Sequence, residues 1–493
     1  MGTLVIQLLE HANQRPAATA ARDGEDVISY RQLADRALSF AQGLVQRGVV
    51  PGDRVVLLLS NSVDYIASLY GIWAASAIAV PLNPRSTASE TSHVVAHTDA
   101  RLVVVEDGSA ASAGGNVHSV VAAPREFGGD LPALTRQTPA PAAEATAMML
   151  FTSGTTADPK GVMLSHRALY FNARAIAEYL ELSPADRAYC ALPFQYSYGN
   201  SVLQSHIVAG ASVHIAHSVA FPALMAEEFS DPSITGLSGV PSLFQTLLEK
   251  TPFAEAAGHL RYLTQAGGPM PVALTQAVAK SCPQSQLFLM YGQTEAAARL
   301  TYLDPRLVSQ RPDSVGRALP GVELSISSPT EEDGVGELLA RGPNIMQGYW
   351  RNPAATAHAL RDGWLHTGDL ARIDAGGFVY IVGRLGRQLK SGSYRIHPEE
   401  IEEVLSDLPF VAEAAIVGTP DDLLGSRLLA CCVKSTCADE SEPALTRRLM
   451  RHCADKLSPF KVPRSVSWME ALPKTESGKI RYHQLTQDLA RDL

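Results

Sequence analysis

One stretch constrains this chain more than any other: Thr152-Ser153-Gly154-Thr155-Thr156-Ala157-Asp158-Pro159-Lys160-Gly161. The apolar run Met148–Phe151 leads into it, which reads as a buried strand, and a helix-like stretch opens near His166. Glycines let the backbone turn sharply and approach a ligand closely. Hydroxyls and successive backbone N–H groups can wrap phosphate oxygens, and Lys160 adds a positive charge. Set between strand and helix, the loop reads as a polyphosphate clamp, although an ordinary polar turn draws on the same residues. It is not a Walker A loop, which places glycine just before its lysine and Ser or Thr just after it. Pro159 and Gly161 stand in those places. A kinase or GTPase reading therefore fails here, and another kind of nucleotide user is required.

The rest of the composition narrows the class. A chain of 493 residues has material for about two to four domains. Hydrophobic content of 46% with 18% charged residues is globular, not disordered. A net charge of −9 and the lack of any dense Lys/Arg block argue against a nucleic-acid partner. Six cysteines over this length make no disulfide framework. Cys431, Cys432 and Cys437 cluster without CxxC spacing or paired histidines, which points to buried or idle thiols rather than a metal site. Met1–Glu10 has neither a basic n-region nor a small-residue cleavage site. No run approaches ~18 unbroken apolar residues. A soluble cytoplasmic protein with no membrane partner is expected.

Taken in order, residues 1 to about 105 alternate helix and strand patterns. Tyr30–Arg47 is amphipathic at helical spacing, and Tyr65–Ala77 is helical; Arg54–Leu59, Ile78–Leu82 and Arg101–Val105 are strand-like. This β–α–β rhythm argues for a parallel sheet with helices on both faces, an α/β fold. Residues 107–146 are rich in Ala, Pro, Gly and Ser, with a short strand expected at Val117–Val121. The rhythm resumes from 148 to about 325, then gives way between Glu331 and Gly383 to short strands and Gly/Asp turns. The last hundred or so residues read as a separate small α+β unit, with helices at Pro398–Leu408 and Leu445–Lys456 and strands at Ala412–Gly418, Leu428–Val433 and Ser465–Met469. Gly383-Arg384-Leu385-Gly386-Arg387 ahead of it suits a hinge.

Three further clusters carry chemistry. Tyr291-Gly292-Gln293-Thr294-Glu295 follows the apolar run Leu287–Met290 and so sits at the carboxyl end of a strand, the edge where open α/β sheets bind ligands. An aromatic there can stack on a base, a threonine can bind phosphate and a glutamate can hold Mg²⁺. Thr367-Gly368-Asp369 reads as a turn between strands whose carboxylate can accept from ribose hydroxyls. Lys479, at the Ser477-Gly478 turn, is either a solvated charge or a lysine presented to an anionic site.

In this order and spacing the clusters, with Gly336–Tyr349, Gly383-Arg384, Pro398–Glu402 and Pro473–Lys479, resemble the adenylate-forming superfamily of acyl- and aryl-CoA synthetases, free-standing adenylation domains and luciferase. The resemblance runs from roughly residue 5 to 485. It implies a large N-terminal AMP-binding domain (1–385) of two α/β subdomains plus a small β-barrel-like piece, and a small mobile α+β C-terminal domain (386–493). It also implies two half-reactions: a carboxylate attacks the α-phosphate of Mg·ATP to give an acyl adenylate and pyrophosphate, then a thiol takes the acyl group and AMP leaves. By similarity Thr152, Ser153, Gly154, Thr155, Thr156 and Lys160 cradle the β- and γ-phosphates. Glu295 holds Mg²⁺ and Thr294 touches the α-phosphate. Tyr291, beside Gly292, stacks on adenine over Gly267 and Gly268; Asp369 and Arg384 bind the ribose; Lys479 bridges the carboxylate and the α-phosphate.

Pro193-Phe194-Gln195-Tyr196-Ser197-Tyr198-Gly199 matches the superfamily's acyl-pocket segment. Tyr196 stands where many CoA ligases carry a histidine. Ser197 stands where amino-acid adenylation domains carry the aspartate that pairs with the substrate ammonium, and an unpaired buried ammonium would cost several kcal/mol. An α-amino acid is therefore disfavoured. Asn200, Ser238, Gly239, Ala266, Met290, Ala296 and Ala297 complete a pocket of mostly small residues with room for an aryl or medium acyl group. For Arg299 a structural salt bridge is preferred over a second anionic group on the substrate. At the hinge, Gly386 and Arg387 replace the usual Lys-Asp, with Arg387 as the pivot. Gly392 and Ser393 match the loop that lines the pantetheine tunnel. The expectation is an ATP- and Mg²⁺-dependent ligase joining a non-amino carboxylic acid to CoA or a carrier-protein phosphopantetheine, as monomer or homodimer; the alternative is an enzyme loading an amino or β-amino acid onto a carrier protein.

Overall fold

The β–α–β rhythm of the first hundred residues builds one side of a seven-stranded sheet. Arg54–Leu58, Ile78–Pro81 and Leu102–Val105 pair in parallel, and their runs of Val, Leu and Ile are buried on both faces, as parallel strands between helices must be. In the computed structural model the described residues are all except 1, 107–119, 123–140, 153–159, 269, 328, 330–333, 386–388, 393, 397, 422–424, 436–439, 474–479, 481, 483–484, 487–488 and 490–493. They form two compact units: the larger takes in the segments up to Phe151 and Lys160–Leu385, and the main segment of the smaller begins at Gly386.

In the larger unit the seven-stranded sheet runs Gly348–Tyr349, Lys160–Ser165, Thr146–Thr152, Ile78–Pro81, Arg54–Leu58, Leu102–Val105, Val120–Ala122. A nine-stranded sheet carries a parallel centre: Gln286–Tyr291, Tyr262–Gln265, Gly236–Gly239, Arg187–Cys190, Ser212–Ile215 and Thr19–Asp23 follow one another. Short antiparallel strands finish both edges. One hydrophobic cluster draws residues from strands of both sheets and from the helices Tyr30–Gln46, Val63–Ala74, His166–Tyr179 and Ser197–Ala209. The helix ends follow their sequence signals: Ser29 and Gln32 form a capping box for Tyr30–Gln46, and Ser165 accepts from Ala168 N at 3.1 Å for His166–Tyr179. The expected change of texture is an antiparallel sheet of Glu323–Ser327, Gly336–Arg341, Trp364–Ile373, Leu360–Arg361 and Val379–Arg384.

Three expectations shift. The strand expected at Val117–Val121 forms at Val120–Ala122. The glycine-rich loop joins two neighbouring strands rather than a strand and a helix: Lys160–Ser165 is extended, with Val162 and Leu164 fully buried, and Gly348–Tyr349 pairs antiparallel with it. The helix starts only after the Ser165 cap. Thr367-Gly368-Asp369 is not a turn but a bulge inside Trp364–Ile373. Leu339 pairs with His366 and Glu337 with Leu370, so three residues stand opposite Leu338 alone. Gly368 takes φ +68°, the left-handed conformation that lets the bulge form without Cβ strain. The Thr367 hydroxyl donates to Leu338 O at 2.6 Å and accepts from Asp369 N at 3.1 Å, which locks the bulge.

The smaller unit has its own core. Val411–Asp421 pairs antiparallel with Gly425–Lys434, and Ser465–Met469 adds in parallel. The helices Pro398–Ser406 and Glu442–Lys456 cover one face through Ile401, Leu405, Leu445, Leu449 and Cys453. Adjacent strand residues Cys432 and Cys431 join different clusters, the first with those helices, the second with Leu472 and Leu485. Both are fully buried, and burial pushes their thiols up to about 12. Cys437 lies outside the described residues.

Candidate active site

Three adjacent parallel strands end at one edge of the nine-stranded sheet and place three of the sequence clusters together there. Gly239 closes Gly236–Gly239, Ala266-Gly267-Gly268 follow Tyr262–Gln265, and Tyr291-Gly292 close and follow Gln286–Tyr291. Gln265 Nε2 donates to Gly268 O at 2.9 Å and ties the glycine pair back to its strand. A Cβ on Gly292 would lie 2.0 Å from Ala298 O, so only glycine lets the chain double back after Tyr291. Thr294–Ala296 then form a single 3₁₀ turn.

The bulge meets this edge. The Tyr291 hydroxyl donates to Asp369 Oδ2 at 2.6 Å, and Asp369 is 2% exposed. Arg384 stands opposite Asp369 in the ladder of the neighbouring strand. A ring, a buried carboxylate and two glycines thus surround one place, a set suited to a base and its ribose.

Glu295 lies one step further. It is 7% exposed; Tyr349 Oη donates to its Oε1 at 3.0 Å, and its backbone carbonyl accepts from Met346 N. Lys160 Nζ lies 5.3 Å from the Tyr349 ring centroid. Tyr349 therefore stands between the cation and the carboxylate, held by the pairing of its short strand with Lys160–Ser165. Among the described residues no three His, Cys, Asp or Glu converge as a metal cage. A single buried carboxylate beside a lysine instead fits Mg²⁺ delivered on a nucleotide's phosphates, since Mg²⁺ keeps waters and phosphate oxygens as ligands.

The acyl-pocket segment lies on the helix Ser197–Ala209. Tyr196 is its N-cap residue, and the Tyr196 hydroxyl accepts from Asn83 Nδ2 at 3.2 Å. Thr294 Oγ1 donates to Ser197 Oγ at 3.3 Å, joining the expected α-phosphate ligand to the expected acyl pocket. Tyr198 Oη donates to Thr264 O at 3.0 Å, and Thr264 Oγ1 to Ser238 Oγ at 2.8 Å. Behind Ser197 lies a narrow cleft with about 10 Å³ of free volume, lined by Leu150, Leu164, Leu169, Asn172, Ala173, Ser197, Asn200, Ser201, Gln204 and Ala297. Ser197, Asn200 and Ala297 of the expected pocket line it. Tyr196, Gly239, Ala266, Met290 and Ala296 do not, and Met290 Sδ accepts from Tyr179 Oη at 2.9 Å. Arg299 departs from the expected salt bridge: among the described residues no carboxylate pairs with it, and its partners include Ser201 Oγ, Ala298 O, the Tyr179 side chain and the Tyr198 ring.

Thr152 ends its strand; Ser153, Gly154, Thr155, Thr156, Arg387, Ser393 and Lys479 lie outside the described residues. Gly392 turns the hairpin Leu389–Ser391 and Tyr394–Ile396 at φ +62°. The sequence reading missed Tyr349's role, Asn83, and the cleft residues Asn172, Ser201 and Gln204. One signal was available: Ser197, Asn200, Ser201 and Gln204 recur at i, i+3, i+4, i+7, a polar stripe along one face of an otherwise buried helix.

Residues 8–350 match the family model described as AMP-binding enzyme, and residues 400–479 match the AMP-binding enzyme C-terminal domain. The chain is an AMP-binding enzyme. It is 32% identical over 485 residues to a feruloyl-CoA synthase from Amycolatopsis sp, with 96% of each chain covered. It is 30% identical over 499 residues to a 2-succinylbenzoate–CoA ligase from Bacillus cereus, with 99% of each covered. Among solved structures, an o-succinylbenzoate CoA synthetase from Bacillus subtilis bound with a product analogue superposes with a TM-score of 0.85 at 26% identity over 98% of each chain. An amide bond synthetase from Marinactinospora thermotolerans gives 0.88 at 25% identity over 99% of each. This AMP-binding enzyme is an AMP-forming acid–thiol ligase that uses ATP and Mg²⁺: it makes an acyl adenylate with release of pyrophosphate and passes the acyl group to a thiol. Among the described residues no helix is long and apolar enough to cross a membrane.

Proposed function

We propose that the acid is a non-amino carboxylic acid of aryl or medium acyl size, that CoA is the thiol, and that the reaction takes place in the cytoplasm, where ATP and CoA are supplied. One observation carries the choice of acid: the cleft behind Ser197 is lined by Asn172, Ser197, Asn200, Ser201, Gln204 and apolar residues, with no Asp or Glu. A substrate ammonium there would be desolvated without a counter-charge. The relatives support the class, since a feruloyl-CoA synthase and a 2-succinylbenzoate–CoA ligase both join aryl acids to CoA. A carrier-protein acceptor has less behind it.

In this reading Tyr291 stacks on adenine above Gly267-Gly268, and its hydroxyl bond to Asp369 sets the spacing between base and ribose sites. Asp369 and Arg384 take the ribose. Lys160, with Thr152, Ser153, Gly154, Thr155 and Thr156, neutralises the departing pyrophosphate. Glu295 holds Mg²⁺, which spreads the charge developing on the phosphates. Thr294 turns its one hydroxyl proton from Ser197 to the α-phosphate and can then accept from the Ser197 hydroxyl, which lies 3.3 Å away beside the attacking carboxylate. Lys479 adds a positive charge between the carboxylate and the α-phosphate. In the second half-reaction Gly392 and Ser393 border the path of the thiol, and Arg387 serves as the pivot between units 1–385 and 386–493.

Carboxylate-dependent ATP–pyrophosphate exchange tests the proposal, with pooled aryl, fatty, dicarboxylic and amino acids, then single acids. Exchange with a non-amino acid, followed by thioester formation with CoA, is expected. Exchange with amino acids alone overturns the reading of Ser197. Transfer to a holo carrier protein or to an amine in preference to CoA overturns the assignment of the acceptor.

A further inference from the structure

Arg299 is a charge taken out of water without an opposite charge beside it. It is 2% exposed, and among the described residues it pairs with no carboxylate. Its partners are neutral. Nη2 donates to Ser201 Oγ at 3.4 Å, Nη1 reaches Ala298 O at 3.5 Å, and the guanidinium lies 4.8 Å from the Tyr198 ring centroid. Nε has no hydrogen-bond partner among the described residues. The backbone that brings it inside is left-handed at two successive non-glycine residues, Ala297 at φ +50° and Ala298 at φ +94°, a conformation L-residues adopt at a cost and which clusters at functional sites.

The cleft beside it is also richer in polar groups than the protein alone uses. Asn172 Oδ1, Asn200 Oδ1 and Gln204 Nε2 are buried without a hydrogen-bond partner among the described residues, and all three residues line it. Ser201 belongs to both places: it lines the cleft and accepts from Arg299. A guanidinium presents a planar fork of donors matched to a carboxylate, and a desolvated one is far better satisfied by an anion than by a hydroxyl and a ring.

We propose that the acid carries a second anionic group, a distal carboxylate, received by Arg299 with Ser201 and the neighbouring cleft amides. This deepens the ligase reading and rests on its placement of the reacting carboxylate at Thr294 and Ser197. Ser197 and Ser201 are one helical turn apart, about 6 Å along the axis. A benzene ring or a chain of a few carbons spans that distance, so the substrate class is a short aliphatic or aryl dicarboxylic acid.

The test is ATP–pyrophosphate exchange with glutarate, adipate and isophthalate, each beside its monoamide, which keeps shape and removes the distal charge; benzoate and hexanoate serve as plain monoacids. At least one diacid should exceed its monoamide tenfold or more in kcat/KM with the wild-type enzyme. Arg299→Met, similar in bulk but uncharged, should bring that ratio to within about threefold of one. Should that variant not fold, Ser201→Ala keeps the charge and loosens its anchor, and should raise KM for the diacid at least threefold more than it raises KM for the monoamide. Monoamides or monoacids exchanging as well as every diacid would overturn the inference and leave the ligase reading standing. A diacid preference that survives Arg299→Met would overturn it equally. Exchange with none of these acids, nor with any other acid pool, sinks the ligase reading and this inference with it.

Discussion

Tyr349 Oη donates to Glu295 Oε1 at 3.0 Å while its ring lies 5.3 Å from Lys160 Nζ, so one side chain spaces the carboxylate and the cation that the proposal gives to Mg²⁺ and to phosphate. A hydrogen bond to a charged group contributes about 1.5–3 kcal/mol, and its value here is orientation, because Mg²⁺ tolerates little departure from octahedral geometry. Tyr349→Phe removes the hydroxyl and keeps the ring. Exchange at saturating acid should fall about tenfold or more, and the Mg²⁺ concentration for half-maximal rate should rise; a Mg²⁺ titration of both enzymes checks this. An unchanged half-saturation would remove Tyr349 from the metal site. Nothing in the sequence pointed to this contact. Tyr349 and Glu295 are 54 residues apart, and the pattern around Tyr349 says only that a short strand ends there. Glu295 itself was legible, because a polar cluster after an apolar run marks the end of a strand whatever the rest of the fold does.

The helix Ser197–Ala209 carries the proposed acyl pocket at its start, and its far end is pinned by a buried histidine. His206 Nδ1 lies 2.8 Å from Val202 O, which can only accept, so Nδ1 holds the proton and Nε2 accepts from the Tyr262 hydroxyl at 2.7 Å. That bond ties the helix to the strand Tyr262–Gln265. Burial lowers His206 to about 4, against the opposing help of the Val202 carbonyl. An unfolded histidine titrates near 6.5, so between pH 6.5 and about 4 the unfolded chain binds the extra proton. The stability this group contributes is therefore full above pH 6.5 and is lost as pH falls toward 4, by about 3 kcal/mol at most. His166, also lowered to about 4 by burial, acts with the same sign. His206→Gln, which does not titrate, should unfold in urea with a smaller fall in midpoint from pH 7 to pH 5 than the wild type. Equal falls would show that His206 does not carry the acid sensitivity. At this scale the sequence served well where a pattern is local. The helices over Tyr30–Gln46 and Glu442–Lys456 and the strand Ser465–Met469 follow from period and caps alone. It failed at Thr367-Gly368-Asp369, where three residues that look like a turn are a bulge set by the opposing strand Gly336–Arg341. After Lys160 the helix opens at His166 as expected, but the strand Lys160–Ser165 before it was not legible, because it is set by pairing with Gly348–Tyr349.

At the scale of the molecule, each unit closes its own core. Lys479 lies outside the described residues. Leu472 before it, and Ile480, Tyr482 and Leu485 after it, pack with Ala415, Val417, Leu429 and Cys431. Lys461 and Glu400, at 2.6 Å, brace the smaller unit from within. Lys479→Ala should slow acyl-adenylate formation by at least 10²–10³-fold, roughly what the loss of a preorganised charge-stabilising contact costs. Thioester formation from supplied acyl adenylate and CoA should keep its rate within a few-fold, because the attack in that step is on the acyl carbon and no carboxylate has to be brought onto the α-phosphate. Single-turnover measurement of each half-reaction separates the outcomes. An unchanged first step would take Lys479 out of the chemistry. An equal loss in both steps would mean that the substitution acts through the smaller unit as a whole and not through a charge offered to the α-phosphate.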